Sequence, residues 1–274
     1  MNTQEIRTRK RSRGADPLVV VTAYDVAGAH FADAAGVDMV LVGDSLANVV
    51  LGHSDTLHLS VDDMARHVAA VAAARPRAHV VADLPWPSYH EGPAQAVRSA
   101  AQLVRAGAES VKLEGGTKRA EVVRALLDAE IPVMGHLGLT PQSVLAMGGY
   151  RVQARSDDAA RTLLEDALVL QESGVYAVVL EGVPTTVGRS VTEVLDIPTI
   201  GIGAGPDTDG QVLVFHDLLG LSLGRPAKFV RQYADLGTAI TEAIGHYATD
   251  VRSGQFPSPA ESYGDSSPGS PASE

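Results

Sequence analysis

The chain has 274 residues, a formal net charge of −11, 45% hydrophobic and 4% aromatic residues, and no cysteine. That length suits one large α/β domain able to bury a core unaided; without cysteine, disulfide frameworks, thiolate metal sites and cysteine nucleophiles are excluded. The acidic balance argues against nucleic acid as a partner, and no run approaches the roughly eighteen apolar residues of a membrane span.

The N-terminal stretch MNTQEIRTRKRSRG is too polar for a secretory signal, and a cytoplasmic location is expected. Its basic residues Arg7, Arg9, Lys10, Arg11 and Arg13 read as a solvated segment rather than a nucleic-acid arm, because nothing later extends the patch. Short apolar runs then alternate with helix-period segments. The runs are Leu18–Thr22, Met39–Val42, Val80–Ala82, Ser110–Leu113, Ile131–Met134, Ala177–Leu180, Thr199–Ile202 and Val212–Phe215. They are short and continuous, as buried parallel strands are. Helical patterns fall at Val26–Ala35, Val61–Ala74, Pro93–Ala106, Lys118–Ala129, Asp157–Glu172 and Thr185–Leu195. They stop at glycines such as Gly36, Gly107 and Gly174, or ahead of Pro132 and Pro198.

Eight such runs with helical crossovers predict an α/β (βα)₈ TIM barrel rather than a doubly wound open sheet. Only GAGPDTDG separates the last two runs, so one crossover is expected to be reduced or missing. Lys228–Val251 reads as a closing helix or helix pair. Residues 1–254 are expected to form one barrel domain with an N-terminal extension. Gln255–Glu274, rich in Ser, Pro and Gly, reads as a disordered tail.

On this strand map Asp44 and Ser45 close the second run, Asp83 the third, Lys112 and Glu114 the fourth, His136 the fifth and Glu181 the sixth. Carboxyl ends of barrel strands ring one mouth, where active sites are built. A single acidic residue at a strand end serves equally as a helix cap. Convergence of five ends needs another reason. Asp44, Asp83, Glu114 and Glu181 in one mouth would repel at low dielectric, and a bound cation relieves that repulsion. Oxygen donors with no cysteine and one histidine favour a hard ion such as Mg²⁺, with positions left for the keto and carboxylate oxygens of a small 2-oxo acid. Lys112 reads as a partner of the substrate carboxylate or a developing enolate oxygen, or else as a structural salt bridge to Glu114 or Asp83. Ser45 lacks the flanking glycines of a nucleophile elbow and reads as a hydrogen-bond donor. Glu181 is expected to face apolar neighbours, Val178 to Leu180. His53, His58 and His67 are too scattered for zinc, and the Gly201–Gly205 stretch fails as a dinucleotide fingerprint.

The strings TAYD (Thr22–Asp25), LVGDSLANVVLG (Leu41–Gly52), VVADLPWPSY (Val80–Tyr89), VKLEGG (Val111–Gly116), GHLGLTPQS (Gly135–Ser143), GGYRVQ (Gly148–Gln153) and IGIGAGPDTDGQVLV (Ile200–Val214) closely resemble the 3-methyl-2-oxobutanoate hydroxymethyltransferase, or ketopantoate hydroxymethyltransferase, family. Asn48, Gly182 and His58 depart from its usual residues. The resemblance implies a barrel of the phosphoenolpyruvate/pyruvate superfamily, Mg²⁺, and 5,10-methylenetetrahydrofolate as one-carbon donor for pantothenate and coenzyme A biosynthesis. It also implies a homodecamer built as a pentamer of dimers. By motif it makes Asp44 and Asp83 metal ligands with Glu114 in the metal shell. Asp44, Ser45, Asp83 and Lys112 become oxo-acid contacts, His136 a pocket residue, and Glu181 the proton acceptor. The competing readings are a Mg²⁺-dependent C–C lyase or mutase of the same superfamily, a class I aldolase with Lys112 as Schiff base, and a non-catalytic scaffold.

Overall fold

A computed structural model describes residues 1–264 of the chain. Its strands are β1 (Leu18–Thr22), β2 (Met39–Val42), β3 (His79–Asp83), β4 (Ser110–Glu114), β5 (Val133–Gly138), β6 (Ala177–Glu181), β7 (Thr199–Ile202) and β8 (Gly210–Leu213). Each pairs in parallel with the next, and β8 closes on β1. The helices are α1 (Thr3–Arg7), α2 (Val26–Ala34), α3 (Leu46–Val49), α4 (Val61–Ala73), α5 (Pro93–Ala106), α6 (Ala120–Asp128), α7 (Val144–Met147), α8 (Asp157–Ser173), α9 (Thr185–Val194), α10 (Phe215–Leu218) and α11 (Leu236–Ser253). As expected, no helix lies between β7 and β8. The closed barrel predicted from the apolar runs is therefore the fold.

The local causes are visible at most boundaries. Asp25, Ser60 and Ser156 accept hydrogen bonds from the first-turn amides of α2, α4 and α8, and α5 opens with Pro93. Gly107 and Gly174 end α5 and α8 at φ 118° and 103°, where a Cβ would be strained. The sixth helix starts two residues later than expected, because Thr117–Arg119 forms a 3₁₀ turn ahead of it.

Successive strand residues point to opposite faces, and the two faces bury different cores. Val40, Val42, Val80, Ala82, Val111, Leu113, Val133, Leu137, Val178 and Leu180 pack in the layer between sheet and helices. Leu18, Val20, Met39, Leu41, Val81, Met134, Val179, Ile200, Ile202 and Val212 fill the barrel. This parity sends Asp83, Lys112, Glu114, His136 and Glu181 inward.

The basic N-terminal segment is solvated as expected at Arg7, Arg11 and Arg13, but not at Lys10. Ile6 of α1 is fully buried among the barrel-filling side chains and plugs the end opposite the mouth. Lys10 is 2% exposed, with its Nζ 2.7 Å from Asp209 Oδ2 and 2.7 Å from the Thr192 carbonyl. Arg11 donates to the carbonyls of Pro206 and Thr208, and Arg13 pairs with Asp196 at 2.8 Å. The acidic and carbonyl partners lie far along the chain, so charge counting over the segment alone misread Lys10.

The expected closing helix is α11, shorter at its start than foreseen. None of its residues is buried, and Leu236, Ile240, Ile244, Tyr247 and Val251 expose an apolar face at helical spacing. Of the expected tail, residues 255–264 include a capped 3₁₀ turn at Pro259–Glu261; residues 265–274 lie outside the described residues. Among the described residues no helix is long and apolar enough to cross a membrane.

Candidate active site

A cavity of about 520 Å³ opens at the carboxyl ends of the strands, and Asp44, Ser45, Asp83, Lys112, His136 and Glu181 all line it. The sequence-derived ring is thus brought together. Glu114 differs. It is buried at the end of β4 but does not line the cavity; its Oε1 lies 3.4 Å from His136 Nδ1, behind that surface.

The strand ends are tied to one another. The Asp44 amide donates to Asp83 Oδ2 at 2.9 Å, an approach eased by Gly43, whose side has room for little more than hydrogen beside Ser45. Asp83 Oδ1 lies 2.9 Å from Lys112 Nζ, which also stands 3.2 Å from His136 Nδ1. His136 Nε2 is 3.2 Å from Glu181 Oε2. Ser45 shares a 2.8 Å hydrogen bond with the Tyr24 hydroxyl. Of the apolar neighbours expected of Glu181, Val179 shares its inner face and the cavity wall, with Ile202 beside it on β7. Val178 and Leu180 face the helices, and the neighbour across its carboxylate is an imidazole.

Burial, then the Asp83 and Glu114 charges, push the Asp44 carboxyl up to about 8. Burial opposes a charge on Lys112, but Asp83, Asp44 and Glu114 together outweigh it and hold the amine cationic, above the usual lysine range. For His136, burial and the Lys112 ammonium also oppose a charge. Its contacts with Glu114 and Glu181 win, and the imidazole is pushed up to about 9.

A Schiff base needs a neutral amine, so an ammonium clamped by three carboxylates is a poor nucleophile. Borohydride added with the oxo acid should therefore leave Lys112 unmodified; a reduced adduct on Lys112 by mass spectrometry would restore the aldolase reading.

Among the described residues no three His, Asp or Glu side chains already surround one point as a metal cage. The donor set nevertheless fits a hard cation. Asp83 Oδ1 is buried without a hydrogen-bond partner beyond its ionic contact with Lys112, and the Asp44 carboxyl is raised by burial and then by its acidic neighbours. Both conditions are relieved by positive charge supplied at Asp44 and Asp83.

Two functional candidates carried no role in the sequence reading. Gln142, in the 3₁₀ turn after β5, donates from its side chain to Asp44 Oδ2 at 2.9 Å and from its amide to Glu114 Oε2 at 3.0 Å. The Tyr89 hydroxyl donates to Gln142 Oε1 at 2.7 Å. Their signals in the sequence were places in the loops after strand ends and in two of the strings that carry the family resemblance, VVADLPWPSY and GHLGLTPQS. His53 and His58 stack on each other at 4.8 Å, with His58 against Asp55, and His67 meets the Tyr24 carbonyl; none of the three joins the carboxylate ring.

The family model for ketopantoate hydroxymethyltransferase matches residues 1–259. A 3-methyl-2-oxobutanoate hydroxymethyltransferase of Pyrobaculum calidifontis is 52% identical over 254 residues, covering 93% of this chain and 96% of that one. One from Bradyrhizobium diazoefficiens is 54% identical over 246 residues, covering 90% and 84%. Among solved structures, 2,3-dimethylmalate lyase, a PEP mutase/isocitrate lyase superfamily member, aligns with a TM-score of 0.60 at 17% identity over 93% of this chain and 89% of that one. Phosphonopyruvate hydrolase in complex with oxalate and Mg²⁺ aligns at 0.61 and 14% identity, over 95% and 93%. The remote structures share the barrel, while the sequence relatives share half of all residues across nearly the whole chain; the chain belongs to the ketopantoate hydroxymethyltransferase family.

Proposed function

We propose that the chain transfers a hydroxymethyl group from 5,10-methylenetetrahydrofolate to 3-methyl-2-oxobutanoate, giving 2-dehydropantoate for pantothenate biosynthesis, with Glu181 as the base. The observation that carries this is the placement of Glu181 at the cavity wall, opposite the Asp44, Asp83 and Lys112 cluster. Asp44 and Asp83 would hold Mg²⁺, with Glu114 behind them in its shell. When bound, the ion supplies Lewis acidity toward the keto and carboxylate oxygens of the oxo acid.

The protein's own groups do the rest. Ser45 and the Lys112 ammonium offer donors and positive charge to the substrate oxygens. Glu181 takes the C3 proton of the oxo acid, leaving an enolate whose developing oxyanion is favoured by Lys112. His136 stands beside that base, its Nε2 3.2 Å from Glu181 Oε2, and orients it. The enolate carbon then attacks the methylene carbon of the folate. Water completes the hydroxymethyl group as the C–N bonds to that carbon break, and tetrahydrofolate leaves. The outer cavity wall, including Val50, Tyr150, Leu221, Leu223, Arg225 and Phe229, offers apolar surface and one cation to the folate.

Deuterium exchange at C3 of the oxo acid, followed by NMR without folate, tests the enolisation half. Exchange that needs Mg²⁺ and this chain supports the proposal; no exchange under turnover-competent conditions removes it. The cation reading carries a pH dependence. Asp44 must be ionised to take the ion, and its carboxyl is pushed up to about 8, so the ion-binding form is lost as pH falls through that value. Apparent Mn²⁺ affinity should fall about tenfold per pH unit below that point, with about one proton released per ion. Calorimetry in two buffers checks both, and a pH-independent affinity would count against Asp44 as ligand.

The same reading takes residues 1–254 as one barrel domain in a cytoplasmic homo-oligomer, a decamer of paired chains. What supports assembly is the uncovered apolar face of α11. Light scattering on the purified chain tests it, and a monomer at micromolar concentration would refute it.

A further inference from the structure

Gln142 is a buried polar side chain that the proposed chemistry leaves unused, yet both of its side-chain polar atoms are engaged. Its Nε2 donates to Asp44 Oδ2 at 2.9 Å and to the Leu84 carbonyl at 3.0 Å. Its backbone N–H donates to Glu114 Oε2 at 3.0 Å. Its Oε1 accepts from the Tyr89 hydroxyl at 2.7 Å. The direction of that last bond is determined by the network. The Tyr89 hydroxyl receives the Glu114 amide at 3.2 Å, so its own proton points to Gln142. A flipped amide would aim its oxygen at a carboxylate and a carbonyl, two contacts with no proton between them.

Four strand ends therefore meet at one amide: Asp44 after β2, Leu84 and Tyr89 after β3, Glu114 closing β4, and Gln142 itself after β5. The arrangement commits Asp44 Oδ2 and Glu114 Oε2 to neutral donors; Glu114 Oε1 lies against His136, and Asp44 Oδ1 is left for the site. A lysine or arginine at this position would hold the same oxygens but compete with a cation for their charge; an amide does not.

We propose that Gln142 is a positioning residue, locked by Tyr89, whose side chain sets which oxygen of Asp44 faces a divalent cation. This rests on the reading of Asp44, Asp83 and Glu114 as the cation-binding carboxylates. Partners that orient the ligands of an ion typically alter its affinity about 10–100-fold when removed. Gln142→Met keeps the volume and deletes both side-chain donors. Tyr89→Phe keeps the ring and frees the amide to turn.

The test is Mn²⁺ binding to the full-length chain, read by electron paramagnetic resonance of the free ion, at a temperature where circular dichroism shows each variant folded. Gln142→Met should weaken Mn²⁺ binding about 10–100-fold. Tyr89→Phe should weaken it less, and most of that loss should vanish in the Gln142→Met background; what remains comes from the Glu114 amide, which loses the hydroxyl as its acceptor. A purely structural role predicts lower melting temperatures with unchanged Mn²⁺ affinity in the folded proteins, and that result overturns the proposal. Additive losses would overturn the coupling to Tyr89. If Gln142→Met does not fold, Tyr89→Phe decides alone, and unchanged affinity there is equally fatal. Failure of the unaltered chain to bind Mn²⁺ is a different result: it removes the carboxylate reading itself, and the positioning role with it.

Discussion

Glu181→Gln is expected to lower turnover by about 10²–10⁴-fold, the usual worth of a positioned general base. The substitution conserves shape and leaves the contact with His136 Nε2, 3.2 Å away, to an amide oxygen. It removes a carboxylate that lines the cavity and could take a proton from carbon. Asp44 Oδ2 accepts from Gln142, Asp83 accepts from the Asp44 amide and pairs with Lys112, and His136 lies between Lys112 and Glu181. Because Gln142, Asp83 and Lys112 are untouched, Mn²⁺ and oxo-acid binding should stay within a few-fold of the unaltered chain. The split is the diagnostic: kcat collapses, KM holds, and C3–H exchange disappears with kcat. Turnover within about tenfold of the unaltered chain would move the base elsewhere.

The second large effect lies at the opposite end of the barrel. Asp209→Ala should destabilise the fold by about 3–5 kcal/mol, as breaking one side of a buried ion pair does. Asp209 accepts from Lys10 Nζ at 2.7 Å, the Arg11 amide at 2.9 Å and the Thr199 amide at 3.0 Å. Removing it leaves the Lys10 ammonium buried with the Thr192 carbonyl as its remaining acceptor. Lys10→Met should cost less, since Asp209 keeps both backbone donors. For a chain of this size the Asp209→Ala loss corresponds to a fall in Tm on the order of 10 °C, with kcat near normal at low temperature because the mouth is not involved. A fall of under about 2 °C would mean that the pair does not anchor the N-terminal segment.

Much of the barrel was legible because parallel strands and their crossovers write short-range signals. The pattern at Pro93–Ala106 matches α5 to the residue, and the shortness of GAGPDTDG announced the missing crossover. Boundaries slipped where pairing outlasts hydrophobicity. The fifth run stops at Met134 when read by composition, but β5 continues through Gly135 and His136 to Gly138, since each still pairs with β6. Glycine and histidine carry no strand propensity; a neighbouring strand supplies the reason.

The ring of ionisable groups was foreseeable for the same cause. Lys112 and Glu114 are two apart, and a period of two in a buried strand puts both on the inner face. Residue types and strand ends determined that Asp44, Asp83, Lys112, Glu114, His136 and Glu181 would share one mouth. Tertiary structure alone decided their division of labour. It set Lys112 against Asp83 rather than free, withdrew Glu114 from the cavity wall, gave Glu181 an imidazole for a neighbour, and enlisted Gln142 and Tyr89. It likewise buried Ile6 and Lys10 of an otherwise largely exposed basic segment, Lys10 through a partner about 200 residues away. The physical reason is one of range. Periodicity and capping act within a few residues, whereas the contacts that assign a charge its partner join strands that meet only when the barrel closes.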